Sequence, residues 1–147
     1  MQEVNGDDPF DLARFLQAQD VMFDIALSEI KRGRKISHWM WYIFPQLRGL
    51  GYSSRAIHYG ITGTDEARAY LAHELLEHRL ITICEAVLDI EQKSAIEIFG
   101  EPDDMKLRSC ATLFAQVSKP NSVFHKIIDK YFDGVFDQRT MELLGHH

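Results

Sequence analysis

Cysteine is nearly absent from this sequence. Its two residues, Cys84 and Cys110, exclude a disulfide-rich scaffold and a four-cysteine zinc site. Glycine and proline are also scarce, with nine and four in 147 residues, which excludes a linker-rich or disordered chain. No run reaches the ~18 uninterrupted apolar residues that a bilayer span requires. The start of the chain, Met1 to Phe10, carries acids where a signal peptide carries bases and an apolar run. A cytoplasmic protein with reduced thiols and no membrane partner is therefore expected. The Gly-x-Gly-x-x-Gly, phosphate-loop and Gly-x-Ser-x-Gly signatures are missing, so no cofactor is expected. The net charge of −6 excludes duplex DNA as a natural partner, because that affinity comes from bases neutralising phosphates.

What remains is a globular composition, 46% apolar and 26% charged, sized for one domain. Helical spacing runs nearly throughout. Phe15, Gln19, Met22, Ala26 and Ile30 form one stripe, opened by Asp8-Pro9 and closed by Gly33, with a possible break over the polar stretch 17–20. Further helices are expected at about 38–44 capped by Ser37, 54–61, from Thr64 to 72, 75–92, 94–99, from Pro102 to 117, from 121 or 122 to 132, and 137–144. The expectation is an all-α single domain over residues 1–147, its core about 8–144, with about six to eight helices and no significant sheet. The terminal His146 and His147 are set aside from functional reading.

Charge is distributed unevenly. From Gly33 to Thr64 there is no Asp or Glu, where even placement would put roughly five. The stretch holds Arg34, Lys35, Arg48 and Arg55, together with His38, His58, Trp39, Trp41, Tyr42, Tyr52 and Tyr59. Cations beside aromatic faces suit an anionic, ring-bearing ligand. Two tryptophans at i and i+2 cannot share one helix face, so one is expected in the core and the other towards a groove or partner. The segment Pro102-Asp103-Asp104-Met105-Lys106-Leu107-Arg108-Ser109 opens a helix with two acids, which read first as complements to the helix dipole. If that helix lies beside the acid-free stretch, Lys106 and Arg108 join the site.

The expected ligand-binding set is therefore Arg34, Lys35, His38, Trp39, Trp41, Arg55, Lys106 and Arg108. His38, Asp103 and Asp104 are the candidates for acid–base work. The expected function is binding of a nucleotide-like or other anionic small molecule, with catalysis left open. The alternative is a helical interaction module that docks a protein through the aromatic run. Against both stands plain packing of the aromatics and pairing of the bases with distant acids. His73 and His78, five apart and about 140° around a helix, do not form a zincin pair, and no metal site is expected. Both cysteines lie on apolar helix faces, as inert thiols do.

The run Ser37-His38-Trp39-Met40-Trp41-Tyr42-Ile43-Phe44-Pro45-Gln46-Leu47, continuing through Gly49-Leu50-Gly51, resembles the signature of a bacterial family, domain of unknown function 1810. Asp8-Pro9-Phe10-Asp11-Leu12, Phe99-Gly100 with the Pro102–Ser109 segment, and Tyr131-Phe132-Asp133-Gly134 are similar to it as well. The resemblance implies an all-helical cytoplasmic domain and no established activity. Members sometimes carry the label calpastatin, but calpastatin-like inhibitors are disordered and this composition is globular. The chain departs from the family pattern at Glu74 and Glu77, where proline and glycine are usual.

Overall fold

A computed structural model describes residues 8–145. The acidic residues 1–7 and the final His146 and His147 lie outside the described residues. Within them 62% of residues are helical and no strand forms. The described residues form nine helices, one beyond the six to eight expected.

Helix α1 spans Ala13–Lys31 without a break. Asp8 caps it from further upstream than expected: its two carboxylate oxygens accept from the backbone N–H of Leu12 and Ala13 at 2.7 and 3.0 Å. The polar stretch does not interrupt the helix, because its buried member, Gln19, is satisfied. Its amide donates to the Tyr42 carbonyl and the Tyr70 hydroxyl.

Helix α2 is only Met40–Ile43, and Ser37 does not cap it. Ser37 is taken by Glu29, near the end of α1. The Glu29 carboxylate accepts four hydrogen bonds, from the Ile36 and Ser37 backbone N–H, the Ser37 hydroxyl and the Trp39 indole N–H, all at 2.6–2.9 Å. These bonds hold residues 36–39 against α1 and delay the helix. Trp39 is consequently fully buried.

Helix α3, Ser54–Tyr59, is capped by Ser53 and ends before Gly60 rather than at Gly63. A Cβ on Gly60 would meet the Arg48 backbone at 2.8 Å. Glycine thus lets two chain segments cross, and Arg48 and Gln46 exchange backbone hydrogen bonds with Ile61 at 2.8 and 2.9 Å. Beside this crossing lies a buried ion pair. Arg14 donates to Glu66 at 2.6 Å, and its other donors reach the carbonyls of Phe10, Asp11, His58 and Gly60. Glu66 also accepts from the Thr62 backbone N–H and hydroxyl. Every charge in the pair is satisfied, as burial demands.

Helices α4 (Thr64–Ala72) and α5 (Glu74–Leu88) follow. Thr64 is the first helical residue rather than the cap. His73 caps α5 through Nδ1, a local role for half of the His73–His78 pair. Helical spacing predicts a stripe of Leu76, Leu80, Ile83, Val87 and Ile90; the first four are buried on α5, while Ile90 lies beyond its end and is half-buried. α5 stops short of Gln92 because Lys130 takes the carbonyls of Leu88 and Ile90, and Tyr131 takes that of Val87. Helix α6, Ala95–Phe99, carries a full capping box between Ser94 and Glu97. Helices α7 (Asp103–Ala115), α8 (Val123–Tyr131, capped by Ser122) and α9 (Gln138–Leu143, capped by Asp137) complete the chain.

α5 packs against α1 and α8, and α7 packs against α8, α6 and α9. An aromatic file, Phe15–Tyr70–Phe114–Phe124, runs through the core with ring centroids 5.2–5.5 Å apart. Among the described residues no helix is long and apolar enough to cross a membrane.

Two outcomes follow. Burial pushes the Glu29 carboxyl up, but its hydrogen bonds from Ser37, Ile36 and Trp39 outweigh that and hold it down at about 2, against an ordinary 4.5. A carboxyl depressed on folding stabilises above its unfolded value and loses that contribution as pH falls towards its folded value. The urea-midpoint gap between wild type and Glu29→Gln is therefore constant above pH ~5 and narrows as pH falls from ~4.5 towards ~2. At pH 7, Glu29→Ala costs about 3 kcal/mol by orphaning partly buried donors, a drop in Tm of roughly 6–12 °C by calorimetry. Glu66→Gln breaks the other buried pair and costs about 3–5 kcal/mol in urea unfolding, a loss that Arg14→Lys also produces because one ammonium cannot replace five donors.

Candidate functional site

The acid-free stretch and α7 converge on one cavity of about 450 Å³. The stretch supplies Trp41, Gln46, Gly51, Tyr52 and Ser53, α7 supplies Met105, Lys106 and Ser109, and the start of α9 brings Asp137 and Arg139. Three features place these groups. Trp41 is half-buried because Trp39, two residues earlier, occupies the core. Gln46 is fixed by its backbone bond to Ile61. The start of α9 is tied to α7, because the Thr112 hydroxyl accepts from the Asp137 backbone N–H at 2.8 Å.

Two cations stand against the Trp41 ring. The Arg55 guanidinium carbon is 4.9 Å from its centroid and the Lys106 ammonium 5.1 Å. Arg139 adds a third positive charge, against Asp137 as the one carboxylate on the lining. Asp137 is itself occupied as a cap, accepting from the Thr140 N–H and hydroxyl. Among the described residues Arg55 and Arg139 make no ion pair.

The remaining expected residues divide around this cavity. Trp39 is core, its ring 5.1 Å from the Lys35 ammonium. Lys35 is paired with Asp103 at 2.8 Å and donates to the Ser37 carbonyl. Asp103 also lies 3.5 Å from Lys106, so it stands between Lys35 and a cation of the cavity. The acid missing from residues 33–64 is thus supplied by α7. Arg34 is exposed and lines a different recess, with Lys93 and Gly100. Arg108 points elsewhere: it donates to the Val135 carbonyl and lies over Phe132. His38 is exposed and does not line the Trp41 cavity. Asp104 does not line it either, and its Oδ1 is buried without a hydrogen-bond partner among the described residues. Of the expected acid–base groups, none of His38, Asp103 and Asp104 is on the cavity's lining, and Asp103 is the one that reaches a lining residue, Lys106.

Gln46, Tyr52, Asp137 and Arg139 were not among the expected site residues. Gln46 and Tyr52 sit inside or beside the aromatic run and were within reach of sequence reading. Asp137 and Arg139 arrive from the far end of the chain through the Thr112 bond, which no local pattern announces.

One other recess is accounted for by structure. A recess of about 460 Å³ over Arg14 and Glu66 is lined by a pair whose polar atoms are already committed. Among the described residues no three of His, Cys, Asp and Glu gather where a metal ion could be held. Burial pushes the Tyr42 phenol up, with Tyr59 adding to it and Arg55 opposing. Both cysteine thiols are pushed up by burial in the core.

A family described as "Protein of unknown function (DUF1810)" matches residues 9–144, and this chain belongs to it. No curated protein matches the sequence. The fold is similar to the crystal structure of the conserved hypothetical protein Rv1873 from Mycobacterium tuberculosis, at 47% identity and a TM-score of 0.92. That likeness covers 95% of this chain and all of the other.

The thiols yield a direct expectation. A thiol reagent such as dithionitrobenzoate labels neither Cys84 nor Cys110 in the native protein and both in 6 M guanidinium, read at 412 nm. Rapid labelling of one thiol under native conditions would show that the core opens there.

Proposed function

We propose that this protein binds an anionic small molecule in the Trp41 cavity, with Arg55, Lys106 and Arg139 meeting the negative charge. The observation that carries this reading is the pair of cations held within 5.1 Å of the ring of Trp41, which with Lys106 lines a cavity of about 450 Å³, Arg55 standing on the ring from beside that lining. A cation against an aromatic face keeps its donors free at the edge, where a phosphate or carboxylate can reach them. The volume is in the range of small-molecule sites. Lys35 acts at one remove, by sharing Asp103 with Lys106. The docking-patch reading asks for a flat, exposed tryptophan, whereas Trp41 is half-buried in a recess.

Pyrophosphate titrated at low salt produces a saturable change in tryptophan emission. Lys106→Gln and Arg55→Gln each weaken it at least tenfold, the size of one charged hydrogen bond. Arg34→Gln, in the neighbouring recess, leaves it unchanged. Loss of binding in Arg34→Gln with Lys106→Gln unaffected would move the site away from Trp41.

A further inference from the structure

We infer that the anion taken by the Trp41 cavity is a nucleoside phosphate, and that the side-chain amide of Gln46 reads the edge of its base. This rests on the anion-binding reading above and narrows it. Gln46 lines the cavity, yet its amide makes no hydrogen bond within the protein among the described residues. The other glutamines with an inward role, Gln19 and Gln116, spend theirs on protein carbonyls. A primary amide presents one donor and one acceptor side by side, the pattern that pairs bidentately with a nucleobase edge. An inorganic anion offers acceptors only and would leave the amide oxygen unused.

The surroundings fit a base rather than a second anionic group. Gln46 is anchored by its carbonyl to the Ile61 N–H at 2.9 Å, so the amide springs from a fixed point. Gly51 lets the loop beside the amide approach α3 closely: a Cβ there would lie 3.0 Å from Ala56 Cβ, and at 4.0 Å would only touch the amide nitrogen. Tyr52, 79% exposed, and Met105, 44% exposed, line the same cavity and offer apolar faces. Tyr52 stacks on no other ring among the described residues, which leaves its face for a base. The cavity thus has an amide and apolar faces for the ring, with Lys106 and Arg139 on its lining, and Arg55 beside them on the Trp41 ring, for the phosphate. It joins the two chemistries that a nucleotide joins.

The test compares the nucleoside monophosphates AMP, GMP, CMP and UMP with inorganic phosphate and pyrophosphate by isothermal titration calorimetry. At least one nucleoside monophosphate binds ten or more times more tightly than inorganic phosphate. Gln46→Leu removes that advantage while leaving pyrophosphate affinity within twofold, and Gln46→Glu alters the ranking among the four bases. Unchanged thermal unfolding of both variants shows that the fold is intact, as expected for a side chain with no protein partner. Nucleotides binding no better than phosphate, or keeping their advantage in both Gln46 variants, would overturn this inference and leave the anion site standing. Failure of every anion, pyrophosphate included, would overturn both.

Discussion

One carboxylate decides which tryptophan does what. Glu29 gathers the N–H groups of residues 36 and 37, the Ser37 hydroxyl and the Trp39 indole onto two oxygens. A buried carboxylate is costly unless its lone pairs are filled, and four donors fill them. The same four bonds commit Trp39 to the core, where it packs 6.1 Å from Phe44 and Phe44 packs 5.7 Å from Phe99. The short helix that follows then carries Trp41 outward. Without Glu29 the aromatic run has no reason to prefer one tryptophan inside and the other out, since both bury similar apolar area.

A second set of constraints fixes what Trp41 meets. Arg14 ties the start of α1 to the carbonyls of His58 and Gly60 and to Glu66 on α4. This holds the loop after α3 where Gly60 crosses Arg48 and where Ile61 bonds to Gln46. α3 therefore cannot drift, and Arg55 upon it stays against the Trp41 ring. From the other side, α7 presents Lys106, and Asp103 one turn earlier balances both Lys106 and Lys35. Cations are gathered without mutual repulsion dominating because one acid is shared between two of them.

The helices were legible because their end signals are local. Ser122, one of the two expected caps, does cap α8, and most of the α5 stripe follows from spacing. The errors at element ends have long-range causes. Ser37 looks like a cap until Glu29 claims it, and α5 reads on to Gln92 until Lys130 and Tyr131 take its last carbonyls. The site was legible to a similar degree. A gap in acids marks the stretch to which Trp41 and Arg55 belong, and Lys106 meets them there. Spacing could not show that Arg34 and Arg108 point to other surfaces, or that Arg139 joins from α9, because tertiary contacts decide each of these.

The net charge of −6 appears at first to oppose an anion site, but distance removes the objection. At physiological ionic strength charges separated by more than about 8 Å are largely screened from one another. A ligand in the Trp41 cavity therefore responds to the groups on its wall, not to acids on distant helices. Those groups are Lys106 and Arg139, with Arg55 beside them on the Trp41 ring, against Asp137, whose Oδ2 accepts from Thr140. Other acids have partners of their own: Glu29 accepts from Trp39, Glu66 pairs with Arg14, and Asp103 pairs with Lys35. The acid-free stretch is thus more than a gap in composition. It keeps carboxylates off one wall of the cavity.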